Sequence, residues 1–285
     1  MKQLPVTTTE RSSMYQFVKT IDLFNKRMRI DDYYGHLEDM HEVWMNEMGE
    51  SQCEKLIVKV RVEDVLYFLQ EGFILEAFVE RYFSGNNMIF MCKYFSDDRR
   101  NSDFWVQEDQ ILTDIQADSA RITSPNLPPE YQFISCEKED CEQLAEIYRH
   151  VFKIYPVPME DPDYIAKCMN AGSVFFAIKH GTKIVSAVCG EINAMYHNAE
   201  ITDCATMPNY RQLGFMQLLI SRVEQELFNR KIFCIYSIAR ARSYGMNATF
   251  KRLKYNFCGR LVNNCYIYED LEDMNVWVKQ LTAQK

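Results

Sequence analysis

Between positions 200 and 216 the chain gathers two acids, Glu200 and Asp203, a run of small or polar residues, Cys204-Ala205-Thr206, and a turn, Arg211-Gln212-Leu213-Gly214, followed by Phe215 and Met216. An alternating stretch ends at Pro208, and Arg211-x-x-Gly214 then opens a helix with apolar positions at Met216, Leu218, Leu219, Val223 and Leu227. A strand feeding a helix through such a turn leaves backbone N–H groups unpaired and aimed one way, at the positive end of the helix dipole. That arrangement suits a pyrophosphate, with the amides of residues 212–216 as donors. Glu200 and Asp203 lie just upstream as candidate proton acceptors. Strand alternation sends them to opposite faces, so one of the two is expected to serve.

The elements around this segment alternate in a mixed α/β pattern. Residues 132–136 read as a strand, 139–152 and 163–170 as helices, and 173–179 with 184–192 as a hairpin turned by Gly181-Thr182. The opening strand covers about 199–207, the helix 211–230 and a buried strand 232–239. A helix near 243–253 and strands near 257–268 and 274–281 complete the series. The densest proline stretch, Ser124-Pro-Asn-Leu-Pro-Pro-Glu130, excludes both helix and central strand and marks a boundary. It divides the chain into a leading domain over 1–123, a linker over 124–130 and a main domain over 131–285. A helix over 103–121, with Phe104, Val106, Ile111 and Ile115 on one side, is expected to pack across that junction.

The leading segment contains an echo of the later one. A strand at 55–61, a helix at 62–70, Gly72-Phe73 and a hairpin arm at 88–93 follow the order seen again from 231 to 279. Either this is a partial internal repeat, or two βαββ segments are alike by chance. In place of an Arg-x-x-Gly turn the first copy has Asp31-Asp-Tyr-Tyr-Gly-His36, whose acidic pair would repel a pyrophosphate. The first copy therefore reads as structural.

Composition narrows the partners. A net charge of −8 argues against nucleic acid, which needs a basic face. It suits solubility, and also a cationic substrate. No apolar run reaches the ~20 residues of a membrane span, and Met1 to Glu10 lacks the apolar core of a signal peptide. The ten cysteines form no Cys-x-x-Cys pair and sit mostly in apolar runs, as expected of free thiols in the cytoplasm. His36 and His41 lie five apart, off a common helix face, so no metal site is expected.

Strand, Arg211-Gln-Leu-Gly-Phe-Met216 turn, helix, strand and second helix together resemble the GNAT acetyltransferase superfamily, whose turn reads Arg/Gln-x-x-Gly-x-Gly/Ala. Met216 departs from the small sixth residue, although its N–H is kept. Within that superfamily, Thr202-Asp-Cys-Ala-Thr206, Ile238-Ala-Arg-Ala-Arg-Ser243, Gly245-Met-Asn247, Leu261-Val-Asn-Asn264 and Glu272-Asp-Met-Asn-Val-Trp277 resemble the beta-lysine N-acetyltransferase family. Gly72-Phe73 and Tyr82-Phe-Ser-Gly85 extend the resemblance to the leading domain, leaving aside only the first twenty or so residues.

The resemblance implies an α/β (α+β) chain. Its main domain would have the GNAT fold, with a mixed, mostly antiparallel central sheet, preceded by a smaller, non-catalytic, partial GNAT-like α/β domain. It also implies acetyl-CoA as cosubstrate without a metal, and a small diamino acid as acceptor, with no nucleic-acid or membrane partner. An oligomer stays open. The terminal amine of beta-lysine would be acetylated to give a neutral zwitterionic osmolyte.

The chemistry sets three tasks. A primary amine of pKa ~10.4 is neutral in about one molecule in a few thousand at pH 7, so freeing it costs roughly 4–5 kcal/mol unless a carboxylate takes the proton. The thioester oxygen needs a hydrogen-bond donor as its charge develops. The leaving thiolate, of pKa about 8.5, gains from an acid or nearby amides. Glu200 is the first choice of base, where some family members place a glutamate, and Asp203 the second. The family's tyrosine acid aligns with Phe250, which has no proton to give, so Tyr236, Tyr244, Tyr255 or backbone amides and solvent remain for that role.

Coenzyme A is expected to meet Arg211, Gln212, Leu213, Gly214, Phe215 and Met216 at its pyrophosphate. The Cys204, Ala205 and Thr206 backbone would pair with its pantetheine arm, and Ser243 and Asn247 would add side-chain contacts. Arg240 and Arg242 either reach its phosphates or cap the strand end. Asn263, Asn264, Glu272 and Asp273 are candidates for gripping a diamino acid, or else hairpin-turn residues. Acetylation of another small amine, such as lysine or a polyamine, stays open. So does a non-catalytic acyl-CoA-binding scaffold, which Phe250 and Met216 favour.

Overall fold

The computed structural model describes residues 4–118, 126–267 and 270–282. The chain opens with β1 (Val6–Arg11), β2 (Tyr15–Asp22) and β3 (Arg27–Gly35), followed by α1 (Leu37–Glu50), β4 (Lys55–Arg61), α2 (Val65–Gln70) and the hairpin β5 (Ile74–Phe83) and β6 (Asn86–Tyr94). Two helices, α3 (Asp97–Arg100) and α4 (Trp105–Ala117), lead to the second half. There β7 (Tyr131–Ser135), α5 (Cys141–Val151) and α6 (Pro162–Asn170) precede the meander β8 (Val174–His180), β9 (Lys183–Asn193) and β10 (Asn198–Thr206). Then come α7 (Phe215–Asn229), β11 (Cys234–Arg240), α8 (Tyr244–Arg252) and the hairpin β12 (Asn256–Ile267) and β13 (Asp270–Gln280).

The strands form one sheet in the order β1-β2-β3-β4-β6-β5-β12-β13-β11-β10-β9-β8-β7. Two neighbouring pairs are parallel, β3 with β4 and β10 with β11, and each is bridged by a helix, as a parallel crossover requires. The sheet is thus mixed and mostly antiparallel, with helices on its faces. Both halves repeat one order, strand, helix, parallel strand, helix, hairpin, and meet through their hairpins at β5 and β12.

At that junction Gly259 registers with Ala77. A Cβ on Gly259 would stand 2.2 Å from the Glu76 carbonyl oxygen, so only glycine lets the two backbones meet this closely. Beside it, the fully buried Lys55 Nζ lies 2.7 Å from Glu76 Oε2 and donates to the Val262 carbonyl at 2.7 Å. Glu76 Oε2 also accepts from Val262 N at 3.2 Å. One buried ion pair therefore ties both halves to the same backbone.

Four apolar clusters fill the fold. Residues Phe17, Ile30, Val58 and Met91 pack under α1 and α2. Ile57, Phe90, Tyr236, Val276 and Val278 join the two halves face to face. On the second half, α7 covers one face through Phe215, Leu219, Ile220, Val223 and Leu227, while α5 and α6 cover β8 and β9 on the other. Phe215 and Ile220 thus take core places assigned to Met216 and Leu218, which are half-buried. The helix α7 starts four residues after Arg211, because Gln212 and Gly214 have φ of +72° and +76° and fold residues 211–214 into a loop. The helix expected over 103–121 spans Trp105–Ala117 and does reach the second half: Arg260 Nη1 lies 2.9 Å from Asp109 Oδ1 and 3.3 Å from Glu108 Oε2. Residues 119–121, and Ser124 and Pro125 of the expected linker, lie outside the described residues.

Candidate functional site

The parallel pairing of β10 with β11 holds from Asn198 to Glu200 against Cys234 to Tyr236 and then stops. Ser237 Oγ donates to the Ile201 carbonyl at 2.6 Å, and beyond that bond the strands part. Against β9, β10 breaks register between Thr202 and Ala205, where Asp203 has φ of +51°. The gap opens into a cavity of about 720 Å³. Thr202, Asp203, Cys204 and Thr206 form one wall, Ile238, Ala239 and Arg240 another, and the loop and first turn of α7 close one end.

The donors at that end follow from helix geometry. The first helical bond of α7 that leaves the turn is Leu218 N to Gly214 O, so Phe215 N–H and Met216 N–H precede the intrahelical ladder. The first turn of α7 contains no acid, leaving the dipole's positive end uncompensated. Of the expected coenzyme A contacts, Cys204, Thr206, Arg211, Gln212, Gly214, Phe215, Met216 and Ser243 line the cavity. Ala205 does not, being fully buried under α5, and Leu213 is exposed outside the lining. A cavity with free amides at one end and an unpaired strand edge along one side fits an extended pantetheine thioester.

The acids do not follow strand alternation. The bulge at Asp203 turns its carboxylate to the face that also carries Glu200 and Glu191. Tyr155 donates its hydroxyl to Asp203 Oδ1 at 3.0 Å, and Glu191 stands opposite Glu200 in the β9–β10 register. The expectation of opposite faces is therefore corrected, because one extra residue in a strand resets its side-chain phase. Burial, reinforced by the Glu191 charge and opposed by the Tyr155 hydrogen bond, pushes Asp203 up to about 7. Burial and Glu191 likewise push Glu200 up to about 7, against Lys59, Arg29 and the Tyr236 hydroxyl. Asp203 lines the cavity, whereas Glu200 lies on the seam between the α5–α6 layer and the first half.

Several expected contacts turn out to be internal. Asn247 is fully buried. Its Nδ2 donates to the carbonyls of Arg240, Ala241 and Ser243, and its Oδ1 accepts from Asn275 and Trp277, so its side chain has none left for a ligand. Asn263 Nδ2 donates to the carbonyls of Asp98, Arg99 and Asn101. The Asn264 carbonyl accepts from Arg27 and Arg99, and Asp273 Oδ1 accepts from Asn263 N at 2.6 Å. Glu272, 1% exposed, takes Arg240 at 2.6 Å and Arg242 at 2.7 Å. Asn263 and Glu272 thus knit hairpin and helices together, while Asn264 Oδ1 and Asp273 Oδ2 are buried with no hydrogen-bond partner among the described residues. Arg240 and Arg242 are accordingly held at the strand end, although Arg240 still borders the cavity.

The proton-donor candidates also sort themselves. Tyr255 is buried outside the cavity with its ring 5.0 Å from that of Phe250, and burial with the neighbouring Glu224 keeps its phenol protonated. Tyr244 and Phe250 line the cavity. Tyr155, which sequence reasoning passed over, lines it as well, and burial beside Asp203 raises its phenol well above the usual value. Its only local signal was an aromatic residue set before Pro156-Val-Pro158, a loop that cannot continue a helix. Among the described residues no group of three or more His, Cys, Asp or Glu side chains is placed to hold a metal ion. No helix among them is long and apolar enough to cross a membrane.

Known proteins show the same chemistry in their names. The profile described as "Acetyltransferase (GNAT) family" matches residues 141–253. An N-acetyltransferase of Bacillus subtilis, YodP, is 36% identical over 271 residues, covering 95% of this chain and 98% of its own. The beta-lysine N(6)-acetyltransferase of Methanococcus maripaludis is 33% identical, covering 81% of this chain and 84% of its own. That of Methanosarcina mazei is 30% identical, covering 88% of this chain and 100% of its own.

Proposed function

The chain belongs to the GNAT acetyltransferase family and is an N-acetyltransferase, and from that premise we propose that it acetylates the terminal amine of beta-lysine. The observation that carries the proposal is Asp203, a buried carboxyl held by Tyr155 at the bulge of β10, on the wall of a cavity whose far end is the start of α7. Acetyl-CoA, when bound, supplies a thioester carbonyl for the amine to attack. The amides of Phe215 and Met216 hold the anionic end, and the open edge of β10 from Cys204 to Thr206 aligns the arm. Asp203, with Glu200 beside it, receives the proton from the incoming ammonium. Held near 7, these carboxyls are stronger bases than ordinary ones and still ionise at cellular pH. Tyr244, on the cavity lining, is the hydroxyl able to serve the leaving thiolate, since the Tyr155 hydroxyl donates to Asp203.

The acceptor is taken from the two relatives named for beta-lysine. Removing the terminal positive charge leaves a net-neutral zwitterion, the character of an osmolyte, made in the cytoplasm where acetyl-CoA and free thiols coexist. Residues 131–285 form the catalytic domain, and residues 1–123 a non-catalytic GNAT-like partner.

Incubation of the purified protein with acetyl-CoA and a panel of diamino acids, polyamines and lysine peptides tests this. Acetylation of beta-lysine at its terminal nitrogen is expected. Turnover of peptides without small amines overturns it, and tight acetyl-CoA binding with no product at all favours a scaffold, the alternative that Phe250 in the cavity wall suggests.

A further inference from the structure

The face of the second half opposite α7 is covered unevenly. Helices α5 and α6 lie over β8 and β9, and the first half lies over β11 and β13, so β10 with Glu200 runs along the seam. Across it, the halves meet through the rings of Tyr82 and Tyr236, 5.7 Å apart, and of Phe83 and Tyr196, 5.0 Å apart. Beyond these rings the facing surfaces become charged. From the second half come Glu191 and Glu200, opposite each other in register, with Tyr236 in register on the other side of Glu200. From the first half come Arg29, Asp31 and Lys59.

Three adjacent strands fix those last three residues. Lys59 Nζ on β4 lies 2.9 Å from Asp31 Oδ1 and 3.2 Å from the Tyr82 hydroxyl. Asp31 Oδ2 on β3 accepts from Thr20 Oγ1 on β2 at 2.9 Å and is 3.5 Å from Arg29 Nη2. Two cations thus share one carboxylate, and among the described residues the Arg29 side chain, 37% exposed, makes only this long contact to Asp31. The first half presents a net positive charge to the seam, and the second a net negative one. A polyamine would meet repulsion at Arg29 and Lys59. An amino acid that carries a carboxylate at one end and ammonium groups further along would satisfy both sides at once.

We propose that Arg29, supported by Lys59, binds the carboxylate of the diamino-acid acceptor, so that the first half selects amino acids over polyamines for a reaction carried out by the second. The guanidinium takes the carboxylate in its planar fork, Glu191 takes the inner ammonium, and the terminal amine is left beside Glu200 and Asp203. The proposal rests on the beta-lysine acetylation put forward above and adds the site of recognition.

The test compares beta-lysine with 1,4-diaminopentane, which keeps both amines and lacks the carboxylate, using wild type, Arg29→Met and Arg29→Lys. Turnover and calorimetric binding to the coenzyme A complex are both measured. The expected result is a roughly tenfold or larger rise in KM and Kd for beta-lysine in Arg29→Met, with partial recovery in Arg29→Lys. The diaminopentane KM does not rise, and falls where repulsion by Arg29 had raised it, while the acetyl-CoA KM stays as in wild type. Equal losses for both amines, no loss for beta-lysine, or a wild type that binds diaminopentane and not beta-lysine overturn the proposal. Carboxylate-dependent binding without turnover upholds it and removes acetylation of beta-lysine instead.

Discussion

The two halves of this chain share a topology and differ in what fills it. In each, a parallel pair holds for a few residues and then parts: β3 with β4 from Arg27 to Ile30, β10 with β11 from Asn198 to Glu200. Each first strand of the pair also breaks register against its antiparallel neighbour, between Val18 and Lys19 on one side and Thr202 and Ala205 on the other. In each, an aspartate there accepts from a tyrosine hydroxyl, Asp32 from Tyr196 of the other half at 2.6 Å and Asp203 from Tyr155 of its own half at 3.0 Å. In the first half, however, Arg61 plugs the gap. Its guanidinium lies 2.8 Å from Asp32, donates to the Tyr33 carbonyl at 3.0 Å and stacks among Tyr33, Tyr34 and Phe83. Helix α1 then begins with Glu38 and Asp39, where α7 has no acid. Splaying thus comes with the topology. A binding site needs, in addition, small side chains in the gap and a helix start free of negative charge.

The largest effect that would sharpen this contrast is expected from Gly214→Glu. An anion placed at the start of α7 should cut acetyl-CoA affinity by about a hundredfold or more, read by calorimetry, while Glu38→Gln with Asp39→Asn at the start of α1 leaves it unchanged. Equal responses at both helices would break the comparison. Next, Asp203→Asn should lower kcat by about 10²–10⁴ with the KM for acetyl-CoA retained, whereas Asp32→Asn should cost stability and not rate. In wild type the base must be ionised, so kcat/KM should climb about tenfold per pH unit below pH 7 and level off above it, following the carboxyls held near 7.

A third change concerns what binds the halves together. Lys55→Met leaves Glu76 buried without its cation and should destabilise the protein by about 3–5 kcal/mol, with much of the loss recovered when Glu76→Leu is added. Denaturant unfolding with one transition for both halves is expected throughout. The smallest effect returns to Asp203. Its folded-state value of about 7 is above its ordinary 3.8, so holding it ionised opposes folding as pH rises between those values. Asp203→Asn should therefore raise Tm by a few degrees at pH 8, a gain that dwindles as pH falls towards 4.

Local signals announced most of the second half. Turn glycines, prolines and alternating apolar residues placed its strands and helices within a few residues, because each element carries its own punctuation. The first fifty residues were harder. Asp31-Asp32 reads as a turn, yet both lie within β3, since Lys59 and Arg61 on β4 neutralise them across the sheet. The same limit applied to the site. Arg211-x-x-Gly214 was legible because backbone geometry at a helix start is local, and the acids at 200 and 203 were legible as acids. Their common face was not, because a single bulge at Asp203 overrides alternation. Asn263 and Glu272 looked like part of a substrate grip because nothing nearby in sequence reveals the distant carbonyls and guanidinium groups that occupy their side chains.

The close meeting of Gly259 with Ala77 has a consequence for how the molecule exists in solution. A single half of this fold would end in an open hairpin edge and an apolar face, both suited to capturing a second copy or an unrelated strand. Here one polypeptide supplies both partners, so the contact forms at the high effective concentration of a tethered pair. Stability of this contact should not fall on dilution, as that of a dimer would. The seam that carries Glu200 on one side and Arg29 on the other is thereby kept assembled at any protein concentration.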